Sequence, residues 1–284
     1  MRRRGSILVA VLLLASLLTV FVGVTGDRLV VATAATHNAG EDIAADVAVR
    51  GAVEFLFARS GGNFATLAGV ASLVYPGITV EAVATNEAAR IDLNLAPEEL
   101  IVGVFRAAGV DAQQAERDAR VIIDRRRDPK QKIDRRKPPL VEPAGPIEHI
   151  RQLDRLGVIP PAHLQAVAPY VTVTSLEPRV AVMVAPRAVV AALPGIDPSR
   201  VDAFLAERRT WTGRFETLMR RYGIVQDHVS RDGSKAVRLA MTVRIGTHRI
   251  RGYEVVAAAL PNDDEPYRIL SWNGNMQPAG GGVP

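Results

Sequence analysis

The feature that most constrains this chain is an uncharged run from Ser6 to Gly26, SILVAVLLLASLLTVFVGVTG. Its 21 residues would span about 31 Å as a helix, enough to cross the hydrocarbon core of a bilayer. Arg2, Arg3 and Arg4 precede it. A basic flank of this kind keeps the short end cytoplasmic and sends the rest of the chain across the membrane. A secretory signal would be removed at a small-residue site, which Ala32, Ala34 and Ala35 could supply. The run is longer than an ordinary signal core, and a helical pattern continues beyond it. Ile43, Val47 and Phe55 recur on one face, with Ala44, Ala48, Ala52 and Leu56 beside it. No proline occurs before Pro76. A nearly continuous helix from Ser6 to Arg59 would be roughly 80 Å long. Its outer half is Ala-rich and suits packing against protein. A plain signal anchor is the simplest alternative.

Past the helix, about 225 residues are enough to bury a core. The net charge of +5 includes the three terminal arginines, so the remainder is only mildly basic and gives little support for an anionic partner. There is no cysteine, which excludes disulfides, cysteine zinc sites and thiol catalysis. The five histidines, His37, His149, His163, His228 and His248, form no HExxH and no close pair.

Gly61-Gly62-Asn63 ends the long helix. Phe64 to Leu73 reads as a link and Tyr75-Pro76-Gly77 as a turn. Ile78 to Val83 alternates as a strand. Arg90 to Glu99 reads RIDLNLAPEE: a short extended stretch, then a helix opened by Pro97, Glu98 and Glu99. Asp92 and Asn94 are placed to organise that turn by side-chain-to-backbone bonds. They resemble acid–base material only superficially, because no nucleophile accompanies them. Gly109-Val110-Asp111 separates this helix from the next, Ala112 to Arg127. Arg125 to Pro146 is a basic, Pro-rich linker. It has no interleaved aromatic, so base stacking lacks a platform.

Two short helices are expected within Ile147–Ala168, then a β-prone stretch, Tyr170–Thr174. The earlier pattern then returns. RIDLNLAP at Arg90–Pro97 is echoed by RVAVMVAP at Arg179–Pro186, and Gly109-Val110-Asp111 by Gly195-Ile196-Asp197. A helix over Ser199–Arg209 comes next. Leu193-Pro194-Gly195-Ile196 looks like a helix-hairpin-helix turn. Such turns can present backbone N–H groups to phosphates. Trp211 and Phe215 anchor this lobe. Ala236–Ile245, Thr247–Leu260 and Tyr267–Trp272 read as strands.

RRRG at Arg2–Gly5, with the apolar helix directly after it, resembles the class III signal of type IV pilins and type II secretion pseudopilins. The resemblance implies that a prepilin peptidase cuts between Gly5 and Ser6, that the new terminus is methylated, and that the membrane helix stays attached. Pilins usually carry a glutamate at the fifth mature residue, where this chain has Ala10. One subgroup lacks it: the large minor pseudopilin called general secretion pathway protein K. The RIDLNLAPEE block, the helices after it and the APYVTV passage also resemble that family, although Ala181, Met183 and Val184 depart from its Asn-rich strand.

The resemblance implies an α+β fold, with a pilin-like long N-terminal helix packed on an antiparallel sheet. A large inserted helical domain of two helix-hairpin-helix-like lobes completes it. The expected division is a leader (1–5), a transmembrane helix (6–26) and the periplasmic part of the stalk (27–60). Next come the first part of the pilin-like domain (61–95), the inserted domain (96–215, with the basic linker at 125–146), the C-terminal strands (216–272) and a Gly/Pro-rich tail (273–284). The implied function is structural, not enzymatic: a minor pseudopilin in the cell inner membrane, with its C-terminal domain periplasmic, at the tip of a type II secretion pseudopilus. In similar fibres the glutamate of an incoming subunit pairs with the terminal amine of the subunit above. A tip subunit has none above it, so Ala10 fits that place. The implied partners are other minor pseudopilins, the major pseudopilin and prepilin peptidase. Calcium is the one cofactor that the resemblance raises. Some family members bind calcium, for which Asp263, Asp264 and Glu265 are the candidates, although no D-x-[DN]-x-[DN]-G loop occurs. The alternative is a membrane-anchored helix-hairpin-helix protein for DNA binding or uptake. Arg200, Arg208 and Arg209 would then contact phosphates, with nucleic acid the less favoured partner.

Overall fold

The computed structural model describes residues 40–64, 67, 69–126, 145–157, 159–247, 249–259 and 265–276. The expected membrane helix, Gly5, Ser6, Ala10 and most of the basic linker lie outside them.

The first described element is helix α1, residues 40–59. It buries Ala45, Ala48, Val49, Ala52, Val53 and Leu56, the helical 3–4 spacing of a single face. Three of these are alanines, so the helix axis can lie close to the sheet beneath it. Gly61 and Gly62, at φ 65° and 79°, terminate it. Their N–H groups donate to the carbonyls of Ala58 and Phe57 at 3.1 Å. Only a residue without Cβ enters this left-handed region readily. Phe64 then tucks under the helix end against Phe57 and Tyr267, with ring centroids 5.1 and 5.9 Å away.

Beneath α1 lies a five-stranded sheet of β1 (Gly69–Tyr75), β2 (Ile78–Asn86), β7 (Ala236–Ile245), β8 (Arg249–Ala259) and β9 (Tyr267–Met276). It is ordered β1-β2-β7-β8-β9, and all neighbours are antiparallel. Alternation explains its inner face: Val237, Leu239, Met241 and Val243 point to α1 from β7, and Val80, Ala82 and Ala84 from β2. A charged clamp adds to the apolar contact. Arg249 pairs with Glu41 and Asp42 at 2.7 Å, Arg251 with Asp42 at 2.6 Å, and the Tyr253 hydroxyl donates to Asp46 at 2.8 Å. The expected link over Phe64–Leu73 is a link only at its start, because Gly69 to Leu73 belong to edge strand β1.

Residues 87–235 leave the sheet after Asn86 and return at Ala236, yet Asn86 is register-paired with Val237. A large, mainly helical unit is therefore inserted between two hydrogen-bonded neighbours. It opens with β3 (Ile91–Asp92), α2 (Glu98–Ala107), α3 (Ala112–Arg126), α4 (Arg151–Leu156), α5 (Pro161–Val167) and β4 (Val171–Thr172). It continues with β5 (Val180–Ala181), α6 (Arg187–Ala191), α7 (Val201–Arg208), α8 (Phe215–Tyr222) and β6 (Val229–Ser230). The internal echo extends further than the sequence shows. Each copy is closed by a short parallel pair, β3 with β4 and β5 with β6. In each, a 3-10 turn precedes the closing strand, Ala168–Tyr170 and Gln226–His228.

The two copies share one continuous core that includes Leu100, Val104, Phe105, Val190, Phe204 and Leu218. They approach tightly at Gly103 of α2. A Cβ there would sit 2.1 Å from the carbonyl oxygen of Ala192, at the end of α6. That contact is with backbone and cannot swing aside. Gly103→Ala should therefore destabilise the protein by about 1–3 kcal/mol, the usual cost of overpacking. A lowered midpoint of chemical unfolding would show it, and an unchanged midpoint would contradict this packing.

Candidate functional site

Two regions of the fold carry features beyond simple packing, one on the surface and one buried. The first is the outer side of α1. Its large apolar residues are not the ones buried. Ile43 is 66% exposed, Val47 63% and Phe55 50%. Ile43 and Val47 lie one helical turn apart on one face. Phe55, eight residues beyond Val47, is rotated from it by about 80°. Polar neighbours on this helix are held by the sheet instead: Asp46 by Tyr253, and Arg50 over the Trp272 ring at 4.9 Å. Ile43, Val47 and Phe55, read from the sequence as recurring on one face, are thus not the buried face of the helix, and Phe55 stands apart from the other two. The alanines go inward because they allow close approach to the sheet. Edge strand β1 exposes Val70 and Val74, 75% and 80%, but on the opposite face of the sheet, beside Val83 of β2, because Ala71, Leu73 and Tyr75 are the residues that face α1. Scattered exposed apolar residues are ordinary; Ile43 and Val47 are adjacent and give the outer side of α1 a small apolar area to cover.

The second is the polar lock where the helical unit joins the sheet. Glu87 is fully buried. Arg238 grips it from β7 with two bonds, Nε to Oε2 at 2.9 Å and Nη2 to Oε1 at 2.5 Å. Thr172 donates to Oε1, and Arg90 approaches Oε2 at 3.4 Å. Burial pushes the Glu87 carboxyl up, but Arg238, Thr172 and Arg90 together outweigh it and hold it below the usual range. Burial likewise disfavours the charged guanidinium of Arg238, yet its bonds to Glu87 and Glu254 raise it above the usual arginine value. Alongside, Asn86 accepts from the Ser234 N–H at 3.0 Å and donates to the Ser234 carbonyl at 2.9 Å.

Asp92 and Asn94 do organise the strand-to-helix turn, and they reach further. Asp92 accepts from the N–H groups of Asn94 and Leu95 at 2.8 and 3.2 Å, and from the N–H and hydroxyl of Ser175 at 2.9 Å. Burial raises its pKa despite these bonds. The side chain of Asn94 exchanges two hydrogen bonds with the Ile147 backbone at 2.8 Å. These carboxylates and amides are occupied by structural partners.

The arginines considered for phosphate contact do not form a ready set. Arg208 turns its Nη1 onto the carbonyls of Val182 and Ala185 at 2.7 and 2.8 Å. Arg200 donates to the Arg221 carbonyl at 2.9 Å and lies over the Tyr222 ring, while Arg209 is exposed. The hairpin glycine, Gly195, is packed against the Gly223 carbonyl. Asp263 and Asp264 lie outside the described residues, and Glu265 is exposed. Among the described residues no group of three or more His, Cys, Asp or Glu side chains could hold a metal ion. Among them, too, no helix is long and apolar enough to cross a membrane. Arg125 and Arg126, expected to begin a solvated linker, instead donate to the carbonyls of Gly145 and Leu93.

No protein-family model matches the chain, and no curated protein matches it. A solved structure does share its fold. It is a chain of the GspK-GspI-GspJ complex from the type 2 secretion system of enterotoxigenic Escherichia coli. The superposition has a TM-score of 0.56 at 13% identity, and covers 85% of this chain and 99% of that one. It establishes the α+β architecture, inserted helical unit included, at a sequence distance where side-chain identity carries little.

The lock was not legible in sequence. Glu87 sits in an unremarkable Asn-Glu-Ala-Ala turn, and Arg238 occupies an ordinary polar position of an alternating strand. Glu87→Gln should cost about 3–5 kcal/mol at neutral pH, because it leaves a buried arginine short of its partner. The depressed Glu87 pKa means its contribution is fully present above the unfolded value of about 4.3 and fades as pH falls through the lower folded value. The gap between wild type and Glu87→Gln in urea unfolding should therefore narrow below about pH 4. A gap independent of pH would show that the charge is not what matters.

Proposed function

We propose that the chain is a minor pseudopilin of a type II protein secretion system, placed at the tip of the pseudopilus. The observation that carries this is the shared fold: a stalk helix on an antiparallel sheet with a large helical unit inserted between two adjacent strands, matched over nearly the whole of a chain from a minor-pseudopilin complex. The fibre role supplies a reason for the exposed α1 residues. Ile43 and Val47 lie on the side of α1 away from its own sheet, where the helix of a neighbouring subunit would remove them from water. The Ser6–Gly26 run anchors the subunit in the inner membrane until assembly, with the remainder periplasmic. Ala10 suits a subunit with no neighbour above it, and the helical unit supplies bulk that would hinder another from docking on top. The partners are the other minor pseudopilins, and the role is structural.

Two measurements test this. N-terminal sequencing of protein made with prepilin peptidase should begin at Ser6, and without it at Met1. A chain never shortened by the peptidase would sink the reading. A Val47→Asp, Phe55→Asp double variant, altered only at exposed positions, should keep its melting temperature within a few degrees. It should lose at least about tenfold of its co-purification with the other minor pseudopilins, as expected for charge placed in an apolar contact.

A further inference from the structure

A cleft of ≈ 750 Å³ opens where the sheet end meets both copies of the helical unit. Its size lies within the roughly 300–1,000 Å³ of small-molecule sites. Leu67, Tyr170, Val184 and Pro186 give it apolar walls, and Val184 is 53% exposed there.

The charge in this cleft is unbalanced. Arg90, Arg208 and Arg231 line it, against the single acid Asp232. Arg90 is compensated by Glu87. Arg208 and Arg231 have no carboxylate partner among the described residues, and Asp232 pairs with neither. Those two cations against one acid leave a single positive charge in excess. Arg208 is half-buried, and burial and the neighbouring Arg209 both disfavour its charge. A monoanion would neutralise the excess, whereas a doubly charged phosphate would reverse it.

The way Arg208 is held selects among monoanions. Its Nη1 donates to the carbonyls of Val182 and Ala185 at 2.7 and 2.8 Å, which anchors the guanidinium at that end. The Nε–Nη2 edge is left over, and among the described residues it meets no acceptor. That edge is a fork on which arginine takes the two oxygens of a carboxylate through parallel bonds. The protein uses it in that way elsewhere. Arg238 grips Glu87 by Nε and Nη2 at 2.9 and 2.5 Å, and Arg187 grips Asp202 by the same two atoms at 2.8 and 3.1 Å. At Arg208 no side chain of the described residues supplies the carboxylate.

We propose that this cleft binds a small apolar carboxylic acid in its ionised form, with the carboxylate on the Nε–Nη2 fork of Arg208, Arg231 beside it, and the apolar body against Tyr170, Val184 and Leu67. The binding does not depend on the secretion reading, since it rests on the geometry and charge of the cleft alone.

The probes are trifluoromethyl-phenylacetate, its amide and its phosphonate counterpart. Fluorine NMR is read with the full-length protein in detergent micelles, and empty micelles are the blank. The acid should bind saturably, and the amide and the phosphonate each at least about tenfold more weakly. Hexanoate should displace the acid. Arg231→Ala and Val184→Asp alter exposed cleft residues and should each weaken the acid at least about threefold. Arg208→Lys keeps the charge but loses the fork, and should weaken the acid at least about tenfold. Because Arg208 also caps two carbonyls, that variant is read with its own melting curve, and the two exposed variants decide if it melts early. Equal binding of acid and amide, or of acid and phosphonate, would overturn the proposal. So would no binding above the blank, wild-type affinity in both Arg231→Ala and Val184→Asp, or wild-type affinity in a stable Arg208→Lys. Displacement of the probe by the free acid of an Ala-Val-Leu-Val peptide but not by hexanoate would overturn it in favour of a chain terminus.

Discussion

The fold depends on one buried ion pair. The chain departs from β2 and re-enters at β7, and these two strands are hydrogen-bonded neighbours. Nothing in the apolar core of the sheet tells the inserted unit how to stand relative to it. Glu87 does. It is the first residue beyond β2, and it is held by Arg238 from the returning strand and by Thr172 from the closing strand of the first copy. A single carboxylate thus joins the departing chain, the returning chain and the inserted unit. Buried pairs are often no more stabilising than apolar substitutes, but an apolar residue could not specify three partners by direction.

Within the inserted unit, duplication and divergence are both visible. Each copy uses the same sequence of events: short strand, Ala-Pro, helix, glycine turn, helix and a parallel closing strand. The first copy secures its strand-to-helix turn with Asp92 and Asn94. In the second these become Ala181 and Met183, and Arg208 reaches the carbonyls of Val182 and Ala185 instead. The same turn is stabilised by a different side chain arriving from a different helix.

The strongly alternating strand β7 was legible to the residue, since only one of its faces is apolar. Strand β1 was not, because Val70, Ser72 and Val74 face outward while Ala71, Leu73 and Tyr75 face inward, so little contrast in polarity marks a period. The position of α1 was legible but its orientation was not: both faces are apolar, and close approach to the sheet, which selects alanine, outweighs the size of Ile43, Val47 and Phe55. The glycine turns and the echo were readable from composition. The two-residue closing strands carry too little pattern, and the Glu87–Arg238 pair spans a separation that no local signal bridges. Gly5, Ser6 and Ala10 rest on resemblance alone.

The insertion of the helical unit between neighbouring strands has a mechanical consequence. Its two ends adjoin the register-paired residues Asn86 and Val237, which are one strand spacing of roughly 5 Å apart. α1 meets the sheet through the apolar faces of β2 and β7 as well as through Arg249, Arg251 and Tyr253 of β8. The helical unit is tethered at one rim of the same ladder, so the pairing of β2 with β7 keeps its entry and exit side by side.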